Sequence, residues 1–493
     1  MSELQVLSKL NHAKKTAPIR IMQFGEGNFL RAFVDWMIQK MNDSNLYNGH
    51  VVVVQPLEFG RVKELEKQDG LYTVILQGLN EEGEAVKEGE LIDVLDDFVN
   101  PYSEYDKYLK YAESKDLEVV VSNTTEAGIA FEEKDVAIDL EKETPCSYPG
   151  KLLALLKRRY EVLGKDFGLA LMPCELIDDN GDKLKEVLVK LAKARNESEG
   201  LIDFIENSCH YTTTLVDRIV PGFPRDEFSE LCAKFGYVDN NMVKGEYFHL
   251  FVLKNEPFIE EKFPVHKVGL HAIYVPDVHP YKARKVRILN GSHTSLVPVA
   301  YLAGFNEVRE SLLDEEVSKF LKEEIYEEIV PTIDVKDVEK FADDVYQRFL
   351  NPFVHHALMS IALNSISKFK ERDLPTLLDN YNAKKVYPRH LTYALASLIK
   401  FYEGIRVVDG KEEKIELKDT PSYLEAFESY YKAFNEDKDV SALIHKVLSN
   451  VEFWGRDLSL EEGLEAEVIK YFTHIISSSS AYKALEEFNK HAI

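Results

Sequence analysis

The front of the chain carries short, almost continuous apolar runs at Ile19–Phe24, Val51–Val54, Leu117–Val121 and Leu169–Met172. Each is too short for a stable helix, and none alternates cleanly between apolar and polar residues. Strands of that kind need cover on both faces, which is the situation of a parallel sheet with helices on either side. The segments between them supply such helices. Phe29, Phe33, Trp36, Met37 and Met41 recur at spacings of three and four behind the first run. Tyr72–Leu76 is a further strand candidate, followed by a turn at Gly78 and a hairpin-like Asn80-Glu81-Glu82-Gly83. The front half therefore reads as α/β.

From Ser295 onward helical periodicities dominate, at Leu313–Ile329, Val335–Leu350, Phe353–Phe369 and His390–Tyr402. A hairpin is expected near Val407–Ile415 with its turn at Asp409-Gly410, and Ser477–Ser480 reads as a loop or helix cap. At 493 residues, two or three domains are expected. The division expected is a sheet domain over 1–276 and a mostly helical domain over 277–493.

Charge limits the partners. With 60 basic and 85 acidic side chains the formal charge is −25, which disfavours nucleic acid or an anionic membrane but leaves room for a small anion in a local pocket. The four cysteines form no CxxC pair and are too sparse for a disulfide framework. Met1–Lys15 has no apolar signal core, and no apolar run approaches the ~18 residues of a membrane span. A soluble cytoplasmic protein is expected.

Ile19–Phe24 ends in Gly25-Glu26-Gly27, and a helix follows. Strand, glycine turn and helix form the arrangement that cradles a pyrophosphate: the glycines permit a tight turn and close approach, and the helix start offers free N–H groups. Phe24, Gly25, Gly27, Asn28 and Phe29 are the candidate contacts. Leu30 stands where the third glycine of the usual fingerprint belongs, with Arg31 a possible added charge and Ala32 a possible small contact; an ordinary strand-to-helix turn looks the same. Glu58 follows the second run, where an acid accepts bonds from the adenosine ribose and favours NAD over NADP. A solvated loop glutamate fits there too, and nearby Arg61 weakens the preference. Ser122, Asn123 and Thr124 end another run, at the strand edge where ligands sit in open α/β sheets.

The densest polar grouping is Lys282-Ala283-Arg284-Lys285-Val286-Arg287-Ile288-Leu289-Asn290-Gly291-Ser292-His293. On a continuous helix Lys285, Asn290 and His293 span about 140° at about 100° per residue. Carbonyl reduction needs a group that moves the hydroxyl proton and a donor for the developing oxyanion. Lys285 suits the first task if burial and neighbouring cations lower its pKa. Asn290 suits the second, His293 could orient Lys285 or bond a substrate hydroxyl, and Gly291 could leave room for a ligand. A basic, solvated helix with a satisfied histidine is the alternative. His266, His271, His279 and the His355-His356 pair show no zinc-ligand spacing, so no metal is expected.

Taken together these segments resemble the polyol-specific long-chain dehydrogenases, the mannitol dehydrogenase family. Its Lys-x4-Asn-x2-His motif stands as Lys285, Asn290 and His293, and its glycine loop as Phe24 to Arg31. Val216-Asp217-Arg218-Ile219 matches its VDRI element and Arg348-Phe349-Leu350-Asn351-Pro352 its RFxNP element. Glu126-Ala127-Gly128-Ile129 and Pro173-Cys174-Glu175-Leu176-Ile177 look like the uronate-reducing branch. The resemblance runs from about Ile19 past Tyr402. It implies an N-terminal Rossmann-type dinucleotide-binding domain, a mostly α-helical C-terminal domain, and a metal-independent reaction with NAD between them. Lys285 becomes the acid/base, Asn290 the oxyanion donor, and His293 the orienting or substrate-binding partner. Asp217 and Arg348 would contact substrate or hold the pocket together, and His356 is a further substrate-binding candidate. Read alone, Asp217 could pair with Arg218, and Arg348 could cap a helix.

One departure bears on the substrate. The mannitol enzymes carry Cys-Asp-Asn where this chain has Cys174-Glu175-Leu176, so their second oxyanion asparagine is missing at Leu176. That disfavours mannitol and suits a sugar acid, whose carboxylate needs cations; Lys282, Arg284, Arg287, Arg348 and His356 are candidates. The expected reaction is reduction of the ketone of D-tagaturonate to D-altronate by NADH. A sister activity on fructuronate, mannitol or arabinitol stays open, as does a non-catalytic dinucleotide binder, though a pure binder needs no acid/base.

Overall fold

The computed structural model describes residues 4–80, 82–125 and 127–490; Glu81 and Glu126 of the sequence readings lie outside them. The chain divides into two compact units, Met1–Gly78 with Val86–Val278, and Leu79–Ala85 with His279–Ile493.

The first unit is built on a six-stranded parallel sheet. Its strands are β1 (Ile19–Phe24), β2 (His50–Val54), β3 (Leu95–Val99), β4 (Val119–Ser122), β5 (Ala170–Pro173) and β6 (His210–Tyr211). Their spatial order is β3-β2-β1-β4-β5-β6. This is the doubly wound dinucleotide-binding order, with its switch point between β1 and β4. Both faces are covered, as the unbroken apolar runs require. Ile21, Val51, Val53, Val119, Val121 and Met172 face one core, with Leu30, Met37 and Met41 from the helices α1 (Asn28–Ala32) and α2 (Val34–Asp43). Met22, Phe24, Val52, Val54, Val120 and Leu171 face the other, against α3 (Tyr148–Leu163) and α4 (Asn180–Ala194). The helix expected behind β1 is interrupted at Phe33, whose φ of −129° and ψ of −75° leave the helical region. Two three-stranded sheets complete this part of the chain. One joins Tyr72–Leu79, Ala85–Ile92 and Val243–Glu246, and the other joins Thr214–Asp217, Leu250–Lys254 and Ala272–Val275. The strand expected to end at Leu76 thus runs on through Gly78, and the chain turns at Asn80, whose side chain accepts from the Glu84 N–H at 2.8 Å.

The second unit is helical. It opens with α5 (His279–Lys285), a π turn over Val286–Gly291, and α6 (Ser292–Leu302). Next come α7 (Val338–Phe349) and α8 (Ser365–Arg372). At its centre α9 (Arg389–Phe401) packs against both α6 and α10 (Leu464–Ser477). Nearly every residue of α9 is buried, the condition of a helix apolar on all sides. The helix expected over Phe353–Phe369 is not continuous: only Leu358–Ile361 and Ser365–Arg372 are helical, separated by Asn364 in the left-handed region at φ +55°. The hairpin forms as Ile405–Val408 and Lys411–Lys414, with Asp409 and Gly410 both at positive φ, and Ser480 caps the last helix by accepting from the Lys483 N–H. No helix among the described residues is long and apolar enough to cross a membrane.

Candidate active site

The turn after β1 uses its two glycines differently. Gly25 is buried at φ +123°, its N–H donates to Val54 O at 3.1 Å, and a Cβ there would lie 3.1 Å from Asn123 O. Only glycine fits without strain. Gly27 is exposed and extended, and a Cβ on it would meet no protein atom within 4 Å. The backbone at Gly27 thus faces open space that a methyl group would begin to fill, which suits a residue kept small for a ligand. Asn28 starts α1, and Phe29 stacks on Phe33. The Phe24 side chain packs in the core against Tyr108 and Tyr148, so only its backbone reaches the turn.

Polar side chains brace this turn from beneath. Gln23 donates to Gly25 O at 3.0 Å and to Asp35, and the Tyr72 hydroxyl donates to Arg31 O and Asp35. Burial pushes the Asp35 carboxyl up to about 7, against those two hydrogen bonds and the charge of Arg31. Arg31 does not add charge to the ligand face. Its guanidinium is buried on Asn241 O, Glu26 O and Asn28 Oδ1, so it shapes the turn instead. Across the sheet edge Glu26 accepts from the Arg61 N–H, tying the turn to the loop where Glu58 stands exposed.

The corner after β4 is organised by a residue that sequence reasoning noted only as a departure. Buried Glu175 accepts from Ser122 Oγ at 3.1 Å, Thr124 N at 3.0 Å and Thr124 Oγ1 at 2.9 Å. Burial raises its carboxyl, and these bonds oppose the rise. The Ser122 and Thr124 hydroxyls are therefore committed within the protein. Asn123 donates to Cys174 O and lies beside Gly25 at the switch point. Leu176, where the family's second asparagine would stand, is 62% exposed. Asp217 ends a strand of the third sheet and is buried. Arg218 sends its guanidinium to the carbonyls of Ala32, Tyr247 and Phe248 and over the Trp36 ring.

In the second unit the polar cluster does not sit on one uniform helix. The π turn inserts a residue, which sets back later positions by about 100° relative to an α-helix. Asn290 then moves from about 140° to about 40° from Lys285, and His293 from about 80° to about −20°, closing the trio to an arc of about 60°. Lys285, Asn290 and His293 are all part-buried. The bare Cα of Gly291 faces the buried Asp373 carboxylate, 2.7 Å from an ideal Cβ, so this glycine makes room for Asp373 and not for a ligand.

His293 stacks on Phe349 with ring centroids 4.1 Å apart and meets His356 edge-on at 5.0 Å. Its Nε2 is buried with no hydrogen-bond partner. Burial holds the imidazole well below its ordinary pKa, with further depression from His356, Arg348, Arg372 and Lys368, so His293 is neutral at physiological pH. Of the expected residues, His356 thus touches His293, and the charge of Arg348 acts on it. Arg372 and Lys368 act on it from α8, unanticipated because no local sequence pattern links them to His293. Two other cation candidates are otherwise engaged. Arg284 is buried over Phe341 and donates to Lys336 O, and Arg287 pairs with Asp379 at 2.7 Å. Among the described residues no three His, Cys, Asp or Glu side chains group to hold a metal ion.

Relatives of known family match nearly the whole chain. The sequence matches the mannitol dehydrogenase Rossmann domain over residues 19–267 and the mannitol dehydrogenase C-terminal domain over 277–476. It is 41% identical over 480 residues to altronate oxidoreductase of Yersinia enterocolitica, covering 96% of this chain and 98% of that one. It is 43% identical over 469 residues to altronate oxidoreductase of Phocaeicola vulgatus, covering 94% and 96%. In fold it is similar to a D-sorbitol dehydrogenase (TM-score 0.79, 22% identity, 98% and 100% covered). It is also similar to mannitol 2-dehydrogenase of Pseudomonas fluorescens, solved with NAD and D-mannitol (TM-score 0.65, 20% identity, 99% and 100% covered). The chain belongs to the mannitol dehydrogenase family.

Proposed function

We propose that this chain is an NAD-dependent oxidoreductase that reduces the ketone of D-tagaturonate to the secondary alcohol of D-altronate, reversibly and in the cytoplasm. Identity above 40% to altronate oxidoreductases over nearly their whole length supports the substrate. Four unpaired cysteines suit a reducing compartment. The observation that carries the chemistry is the π turn, whose setback supports Lys285, Asn290 and His293 sharing one side of their helix.

The nucleotide domain is residues 1–276 and the substrate and catalytic domain 277–493. Gly25, Gly27, Asn28 and Phe29, with the backbone of Phe24, hold the pyrophosphate side of the dinucleotide; the open space before Gly27 fits that group. Glu58 takes the adenosine ribose, and Asn123, set by Ser122, Thr124 and Glu175, borders the nicotinamide side. When bound, the reduced nicotinamide supplies a hydride to the carbonyl carbon. Lys285 Nζ gives its proton to the carbonyl oxygen, and in the reverse direction neutral Lys285 removes the hydroxyl proton. Asn290 donates its amide to the oxygen as charge develops. Neutral His293 bonds a substrate hydroxyl through Nε2, the atom left unpartnered in the protein. Asp217, Arg348 and His356 contact the sugar acid. A lysine acid and an amide donor meet the needs of the carbonyl, so no metal is required.

Assaying purified protein with NADH and NADPH against tagaturonate, fructuronate, fructose and xylulose tests the reading. It predicts the highest kcat/KM for tagaturonate with NADH; preference for a neutral ketose, or for NADPH, contradicts it.

A further inference from the structure

Lys368 and Arg372 lie four residues apart on α8, on one face of the helix; Asp419 acts on the first, and Asp373 and Glu371 on the second, from beyond ion-pair distance. Lys368 Nζ donates to Ile361 O at 2.7 Å and Arg372 Nη1 to Thr294 Oγ1 at 3.1 Å. Neither reaches ion-pair distance of a carboxylate among the described residues. Asp419, the acid that draws on Lys368, is engaged by the Tyr402 hydroxyl and the Ile366 N–H. Both cations are part-buried, and burial lowers the pKa of each, with Arg372 lowering Lys368 further. Two like charges at this spacing oppose folding unless something neutralises them.

Their place says what neutralises them. Arg372 reaches Thr294, whose hydroxyl donates to Asn290 O at 2.9 Å, and both cations act on the imidazole of His293, whose Nε2 is buried and unpartnered. We propose that Lys368 and Arg372 receive the carboxylate of the substrate and so set the preference for ketouronates over neutral ketoses. Arg372 offers a planar fork that matches a carboxylate, and Lys368 adds a point charge beside it. This assignment rests on the reaction proposed above.

The test compares wild type with R372Q, K368Q and R372K, reading KM and kcat for D-tagaturonate, kcat/KM for D-tagatose, NADH affinity and thermal stability. Losing a hydrogen bond to a charged group predicts a KM for tagaturonate raised about 10- to 100-fold in R372Q and K368Q. NADH affinity should hold, kcat/KM for tagatose should fall far less than that for tagaturonate, and R372K, which keeps the charge but loses the fork, should recover part of the loss. If the tagaturonate-to-tagatose ratio does not move, or NADH affinity falls in step, the assignment is overturned while the reaction stands. If the wild type reduces no ketouronate, the reaction falls, and the assignment with it.

Discussion

The two glycines of the first turn predict opposite outcomes for the same substitution. At Gly25 an alanine must adopt φ +123° with its Cβ 3.1 Å from Asn123 O. A residue held in so sparsely populated a region costs about 1–3 kcal/mol. At roughly 2–4 °C per kcal/mol for a unit of this size, the melting temperature of the unliganded protein should fall by about 2–12 °C. At Gly27 the backbone is extended and no protein atom lies within 4 Å of the added methyl, so stability should stay within about 0.5 kcal/mol of wild type. The methyl instead occupies space assigned to the dinucleotide. An overpacking penalty of about 1–3 kcal/mol there weakens NADH binding about 5- to 150-fold. Thermal unfolding without ligand and NADH titration by fluorescence measure the two effects separately. A Gly27→Ala protein that binds NADH like wild type would refute the placement of the pyrophosphate. An undiminished melting temperature for Gly25→Ala would refute the steric reading of the turn.

Three further outcomes follow from the same framework. Because folded Asp35 keeps its proton up to about 7 whereas an unfolded aspartate releases it near 4, the native state binds more protons between those values. Stability should therefore decline as pH rises through that window, by on the order of 4 kcal/mol, and Asp35→Asn should flatten the decline in denaturant unfolding measured from pH 4 to 8. Glu175→Leu strands the Thr124 N–H and two hydroxyls and should cost about 2–4 kcal/mol in urea unfolding, with Glu175→Gln losing less. Treatment with a strong chelator should leave turnover unchanged; a loss restored by added metal would argue for a metal centre.

Much of the first unit was legible because fully buried parallel strands leave an unmistakable mark. Val51–Val54 and Leu169–Met172 have no polar position at which to hesitate. Leu95–Val99 is not legible as a strand because Asp96 and Asp97 interrupt it; their partners are Lys14 and His50 from earlier segments and Lys107 and Tyr111 from the segment that follows. Phe353–Phe369 has a helix-like apolar rhythm that the left-handed Asn364 breaks, a backbone event no periodicity records. The π turn is likewise invisible to a 3.6-residue pattern, although it changes the angle between Lys285 and Asn290 most. At the site, the motif residues were readable one by one. What the sequence hid were long-range partners: Gln23 under Gly25 through Asp35 and Tyr72, Glu175 under Ser122 and Thr124, and Arg372 and Lys368 beside His293. The cation candidates on the motif helix were overcounted for the same reason, since Arg284 and Arg287 find partners at Lys336 and Asp379.

The most direct test of the mechanism is single-turnover oxidation of bound NADH by tagaturonate in Lys285→Met, with NADH affinity measured on the same protein. Removal of the general acid predicts a rate about 10²–10⁴-fold below wild type with cofactor binding intact. A folded Lys285→Met protein that oxidises NADH at the wild-type rate would contradict the assignment of Lys285 as the proton donor.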